Sequence, residues 1–175
     1  TAMSKKIVIT GGLGYIGTEL CRIYSGISWN NEILVIDNRF ISERVNQLRN
    51  WNINFIHGDI LDKNLINKHC KDADVIHHLA GVTDVPRVKS ESNADKDSKI
   101  KLIAKEGTQN ILDAISDKCK IIFPSTHVVY EGIEKVKNNI LEDENTKPVL
   151  SYATSKATNE KQLKNSGKNY IILRL

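Results

Sequence analysis

Short apolar, β-branched runs alternate along the chain with longer amphipathic stretches. The runs predict strands at Lys6–Thr10, Ile33–Asp37, Asn54–His57, Asp74–Leu79, Lys120–Ser125 and Tyr170–Leu173. Their residues (IVIT, ILVID, VIHHL, IIF, YIIL) are nearly continuous in apolar character, as in strands buried on both faces. Helices are predicted between them, over Tyr15–Ser25, Ser42–Asn50, Lys63–Cys70, Ala94–Ile115 and Ser151–Ser166. In the longest, Ile100, Ile103, Ala104, Ile111, Leu112 and Ile115 recur at helical spacing. Regular strand–helix alternation implies parallel units with right-handed crossovers, hence an α/β fold with a doubly wound parallel sheet and helices on both faces. Two stretches break the rhythm, Gly81–Asn93 and Glu131–Leu150. Both follow strand carboxyl ends, where open α/β sheets bind ligands.

Composition narrows the class. The 175 residues suffice for one domain with a real core, and 40% hydrophobic with 26% charged residues is globular composition. Net charge is +4, with 25 Lys and Arg spread among 21 acids, so no basic arm points to nucleic acid. No apolar run approaches the ~18–20 residues that span a bilayer, and no N-terminal apolar region suggests secretion. Thr1 and Ala2, before Met3, read as a tag remnant. Cys21, Cys70 and Cys119 are scattered without paired spacing; they read as reduced thiols of a cytoplasmic protein, with no metal site expected.

The chemistry begins at Gly11-Gly12-Leu13-Gly14-Tyr15-Ile16-Gly17, directly after the first strand. Glycines at this spacing permit a tight turn, let backbone N–H groups approach a pyrophosphate, and let the helix lie close to the strand. A turn of purely structural purpose is the alternative. Asp37 ends the second strand twenty residues after Gly17, where a carboxylate accepts from both hydroxyls of an adenine ribose and favours NAD over NADP. The bland alternative is an Asp that shapes a strand-end turn or caps a helix, and Arg39 keeps an NADP reading open. Asp59 offers an acceptor to an adenine amino group or a cap to the helix beginning near Asp62.

Tyr152 and Lys156 stand at i and i+4, on one face of a predicted helix. A phenol is a poor base at neutral pH, but an ammonium one turn away favours the phenolate and lowers its pKa. Such a tyrosine can take the proton of a sugar hydroxyl while a hydride leaves the same carbon. An amphipathic surface pair is the bland alternative. A hydroxyl at the end of the fifth strand, Ser125 or Thr126, would hold the reacting oxygen, or cap a turn.

Taken together, Thr10–Gly17, Asp37-Asn38, Gly58-Asp59, His78–Gly81, Gly107-Thr108-x-Asn110, Ser125-Thr126-x-x-Val129-Tyr130 and Tyr152-x-x-x-Lys156 resemble the extended short-chain dehydrogenase/reductases. Within these the chain is most similar to NAD-dependent sugar-nucleotide epimerases, such as UDP-glucose 4-epimerase. The resemblance implies a Rossmann fold over residues 1–175 that binds NAD, with the substrate-binding C-terminal part missing or truncated. It implies Thr126, Tyr152 and Lys156 as catalytic residues. It implies cofactor contacts from Gly11, Gly14, Tyr15, Ile16, Gly17, Asp37, Asn38, Asp59, Ile60, Leu79, Ala80, Gly81, Ser125, Tyr152 and Lys156. It further implies a nucleotide-sugar substrate, a UDP-sugar first among them, and a homodimer formed through the two long helices.

Some positions depart from the family pattern. Ala104 stands where an Asn is usual, and Glu131 is inserted before Gly132. His127 and Val128 replace the Asp-Glu pair that dehydratases of this family use for elimination. Val128 cannot carry a proton, which disfavours dehydration and leaves 4-epimerisation as the expected reaction. Arg87, after Val85-Pro86, could meet a phosphate or carboxylate but reads better as a solvated loop residue. A dehydratase or reductase of the same family, or a non-catalytic NAD-binding module, is the alternative.

Overall fold

The computed structural model describes residues 4–27, 30–81, 94–125 and 147–175. Strands β1 (Lys6–Thr10), β2 (Glu32–Asp37), β3 (Asn54–His57), β4 (Val75–His78), β5 (Lys120–Ser125) and β6 (Asn169–Arg174) form one sheet in the order β3-β2-β1-β4-β5-β6. Every neighbouring pair is parallel. Helices α1 (Tyr15–Ile27), α2 (Ser42–Asn50), α3 (Lys63–Cys70), α4 (Ala94–Ala114) and α5 (Lys147–Asn165) connect them. The chain starts in the middle of the sheet, winds outward to β3, then crosses back to β4. Strand order therefore reverses between β1 and β4, and that switch point opens a crevice at the strand carboxyl ends.

Alternation along the central strands sorts their side chains into two cores. Ile7, Ile9, Ile33 and Val35 meet Cys21 of α1 and Val45 and Leu48 of α2. Val8, Leu34, Ile36, Ile76, Ile121 and Phe123 meet Ile66 of α3, Ile111 and Leu112 of α4, and Leu163 of α5. Burying one such side chain contributes about 1.5–3 kcal/mol, so the two layers supply most of the driving force. Asp62 caps α3 by accepting from Leu65 N–H at 3.1 Å, a contribution of about 1 kcal/mol.

Two expectations are corrected. Helix α5 begins at Lys147, four residues before the predicted Ser151. Pro148 falls in its first turn, where a missing N–H costs nothing. The apolar run of β6 is not buried on both faces: Tyr170, Ile171 and Leu173 are 36, 38 and 48% exposed, and Ile172 alone joins the core. As the outermost strand of the described sheet, β6 has a neighbour on one side only.

Candidate active site

The turn after β1 is built by exclusion. Gly11 has φ +68°, and a Cβ there would stand 2.7 Å from Ala80 N, so no side chain fits between the turn and the end of β4. A Cβ on Gly17 would stand 2.5 Å from Gly12 Cα, so α1 rests directly on the turn. Gly14 differs. Its nearest neighbours would be Gly11 O at 3.5 Å and the Arg39 guanidinium at 3.8 Å, and it faces a cleft. Among the described residues no packing demands a glycine at that position. The amino end of α1 opens beside it with no acidic residue in its first turn, leaving its partial positive charge available to an anion.

Asp37, 4% exposed, lies at the far side of the turn. Leu13 N–H donates to its Oδ2 at 3.1 Å and Arg39 N–H to its Oδ1 at 2.9 Å, which ties the end of β2 to the glycine turn. The Arg39 guanidinium also donates to both carboxylate oxygens, at 3.2 and 3.3 Å. Arg44 of α2 donates to the Leu13 carbonyl and lies 5.5 Å from the centre of the Tyr15 ring. Asp59 accepts from Leu61 N–H at 2.9 Å and shapes its own loop, while the cap of α3 belongs to Asp62. Asn110 of α4 donates to the Ile60 carbonyl at 3.0 Å and holds that loop at the cleft wall.

At the opposite end stand Ser125 and Lys156. Lys156, 6% exposed, donates from Nζ to the Pro124 carbonyl at 3.3 Å and sits 4.6 Å from the centre of the Phe123 ring. Burial disfavours its charged form and lowers its pKa to about 8. Ser125 Oγ is buried with no hydrogen-bond partner among the described residues. An orphaned hydroxyl is costly unless something else meets it. Tyr152 lies in α5, one turn before Lys156, but its side chain is outside the described residues, as is Thr126. His127, Val128, Arg87 and the inserted Glu131 are outside them as well.

Behind this wall runs a closed polar chain. Ala80 N–H donates to Thr10 Oγ1 at 3.1 Å; Thr10 Oγ1 meets His78 Nδ1 at 2.8 Å; His78 Nε2 meets Thr108 Oγ1 at 2.9 Å; and Thr108 donates to Asn159 Oδ1 at 3.1 Å. With the Thr108 proton committed to Asn159, the ring hydrogen must sit on His78 Nε2, and Nδ1 accepts from Thr10. Burial, reinforced by the nearby Lys156 charge, lowers the pKa of His78 to about 3, so the ring is neutral.

These parts enclose a cleft of about 580 Å³ running from Asp37, past the glycine turn, to Lys156. Every expected cofactor residue with a described side chain lines it: Gly11, Gly14, Tyr15, Ile16, Gly17, Asp37, Asn38, Asp59, Ile60, Leu79, Ala80, Gly81, Ser125 and Lys156. Ile103 and Pro124 line it too. Sequence reasoning missed them because Ile103 counts as one more core position of an amphipathic helix and Pro124 as a strand residue. The turn, which no described side chain fills, and the Ser125 hydroxyl, which no described group meets, both suit a bound dinucleotide. Among the described residues, no group of His, Cys, Asp and Glu could hold a metal ion, and no helix is long and apolar enough to cross a membrane.

A sheet of this order, with a glycine turn at its switch point and a buried carboxylate ending β2, defines a protein of the Rossmann class. The sequence profile of the 3-beta hydroxysteroid dehydrogenase/isomerase family matches residues 8–172, and the chain belongs to that family, among the extended short-chain dehydrogenase/reductases. It is 34% identical to a CDP-paratose 2-epimerase of Salmonella typhi over 77% of its own length and 40% of that protein's. Among solved structures it resembles a UDP-N-acetylglucosamine 4-epimerase of Methanobrevibacter ruminantium M1 in complex with UDP-N-acetylmuramic acid, at 32% identity and a TM-score of 0.60, over 98% of this chain and 54% of that one. It also resembles the Bordetella bronchiseptica enzyme WbmH in complex with NAD+, at 26% identity and a TM-score of 0.71, over 98% and 56% of the two chains. The chain thus spans 40% of that curated relative and about half of those structures.

Proposed function

We propose that this chain is the NAD-binding part of a sugar-nucleotide epimerase acting at C4 of a nucleotide sugar. The observation that carries the reading is the single cleft joining the Asp37 carboxylate, the glycine turn and the Ser125–Lys156 pair. Asp37 accepts from the adenine ribose hydroxyls, and the amino end of α1 with Gly14 receives the pyrophosphate. Ser125 and Gly81 border the nicotinamide end. Bound there, NAD would supply the hydride acceptor and donor for the sugar carbon.

The chain's own residues handle the proton. Lys156, with its pKa lowered to about 8, is still mostly charged at neutral pH and stabilises the phenolate of Tyr152, its neighbour one turn away. Tyr152 takes the proton of the C4 hydroxyl as the hydride leaves, and gives it back when hydride returns to the opposite face of the rotated 4-keto sugar. Thr126 holds the reacting oxygen. The same reading carries a UDP-sugar as substrate, bound mainly outside residues 1–175. It also carries a homodimer through α4 and α5, where Leu102 is half-exposed, in the cytoplasm.

The test is a screen of UDP-, CDP-, GDP- and dTDP-sugars against the full-length protein. Epimerisation without net formation of reduced cofactor supports the proposal. Stoichiometric reduced cofactor points instead to a dehydrogenase, and loss of water to a dehydratase. Tyr152→Phe abolishes turnover and leaves NAD affinity within about twofold; full activity in that variant refutes the role.

A further inference from the structure

We propose that the buried chain Thr10–His78–Thr108–Asn159 is a positioning network that fixes the Lys156-bearing helix against the cofactor-facing ends of β1 and β4. It rests on the reading of Lys156 as the active-centre amine. Four elements contribute one side chain each, and all four are buried: Thr10, His78 and Thr108 fully, Asn159 to 2% exposure. The hydrogen bonds run in one direction, from Ala80 N–H on the cleft wall to Asn159, less than one turn after Lys156. Apolar packing tolerates small slides of a helix. A buried polar chain whose links must all be met admits one arrangement. That arrangement sets the close approach of Lys156 Nζ to the β4 end, 4.0 Å from where a Cβ on Gly81 would lie.

Three measurements on the full-length protein decide it. First, nitrogen NMR of the wild-type histidines shows a non-titrating ring that is absent in His78→Gln, with hydrogen on Nε2 and none on Nδ1. Hydrogen on Nδ1 overturns the proposal without any core variant. Second, the side-chain carbon signal of Lys156, assigned by its loss in Lys156→Met, titrates with a midpoint near 8. Thr108→Val keeps the shape of the residue but removes one donor and one acceptor. The midpoint then rises by about one unit, toward that of a solvated lysine, as the helix loosens and water reaches the amine. Thr108→Ser restores it. An unchanged midpoint in a destabilised Thr108→Val marks a purely structural role and overturns the proposal. If that variant does not fold, Asn159→Ala and the histidine spectrum carry the decision. Third, Lys156→Met with undiminished turnover overturns the functional reading itself, whatever Thr108 does.

Discussion

In Gly14→Ala a methyl group enters the cleft at the mouth of α1 without a clash among the described residues. The nearest atoms to the new Cβ are the Gly11 carbonyl oxygen at 3.5 Å and Arg39 Nη2 at 3.8 Å, both ordinary contacts, and φ lies outside the left-handed region. Alanine before the first helical residue forfeits about 0.5–1 kcal/mol of capping preference. Reduced freedom of the unfolded chain returns about 0.4–1 kcal/mol. Net stability therefore changes by less than about 1 kcal/mol, under about 4 °C in Tm. Cofactor affinity behaves differently. A pyrophosphate lying on the turn would meet that methyl, and displacing it costs at least about 1.4 kcal/mol, a tenfold weaker Kd. Gly17→Ala is the contrasting control: its Cβ would lie 2.5 Å from Gly12 Cα, an overpacking cost of about 1–3 kcal/mol that lowers Tm outright. Thermal unfolding and NAD titration calorimetry on the same samples separate the two. A Gly14→Ala protein with wild-type Tm and NAD affinity within twofold refutes the placement of the phosphates.

Other expectations follow from the same geometry. His78 has an ordinary pKa of 6.5 unfolded and about 3 folded, so the unfolded chain takes its proton first as pH falls. Its share of stability is complete above 6.5 and declines by about 1.4 kcal/mol per unit from there to pH 3. Urea unfolding across that range should show this extra slope in wild type and not in His78→Gln; equal slopes contradict it. Asp37→Ala should weaken NAD binding more than NADP binding, because it deletes the ribose acceptor and releases the Arg39 guanidinium from its carboxylate. An unchanged preference between the two removes Asp37 from the ribose site.

The central sheet was legible because its strands are short apolar runs and the helices between them carry a 3.6-residue rhythm. The glycine turn was legible because Gly11 and Gly17 occupy places where any Cβ collides. The role of Asp59 was not, since a carboxylate there could equally meet a ligand or cap the next helix; in three dimensions it accepts from Leu61 N–H and the cap falls to Asp62. Arg39 kept an NADP reading open, and its pairing with Asp37 depends on how the chain leaves β2. The exposure of β6 was hidden because an apolar run looks the same at the edge of a sheet as at its centre. Least legible was the His78 network. Its hydrogen bonds join residues 68, 30 and 51 positions apart, and a lone Asn159 on a helix carries no local signal of its partner.

A crystal structure of the chain grown with NAD tests the account most directly. The predicted result is one dinucleotide in the cleft, its pyrophosphate against Gly14 and the first N–H groups of α1, its adenine ribose on Asp37, and its nicotinamide between Ser125 and Lys156. A dinucleotide bound elsewhere, or a cleft still empty at saturating NAD, contradicts it.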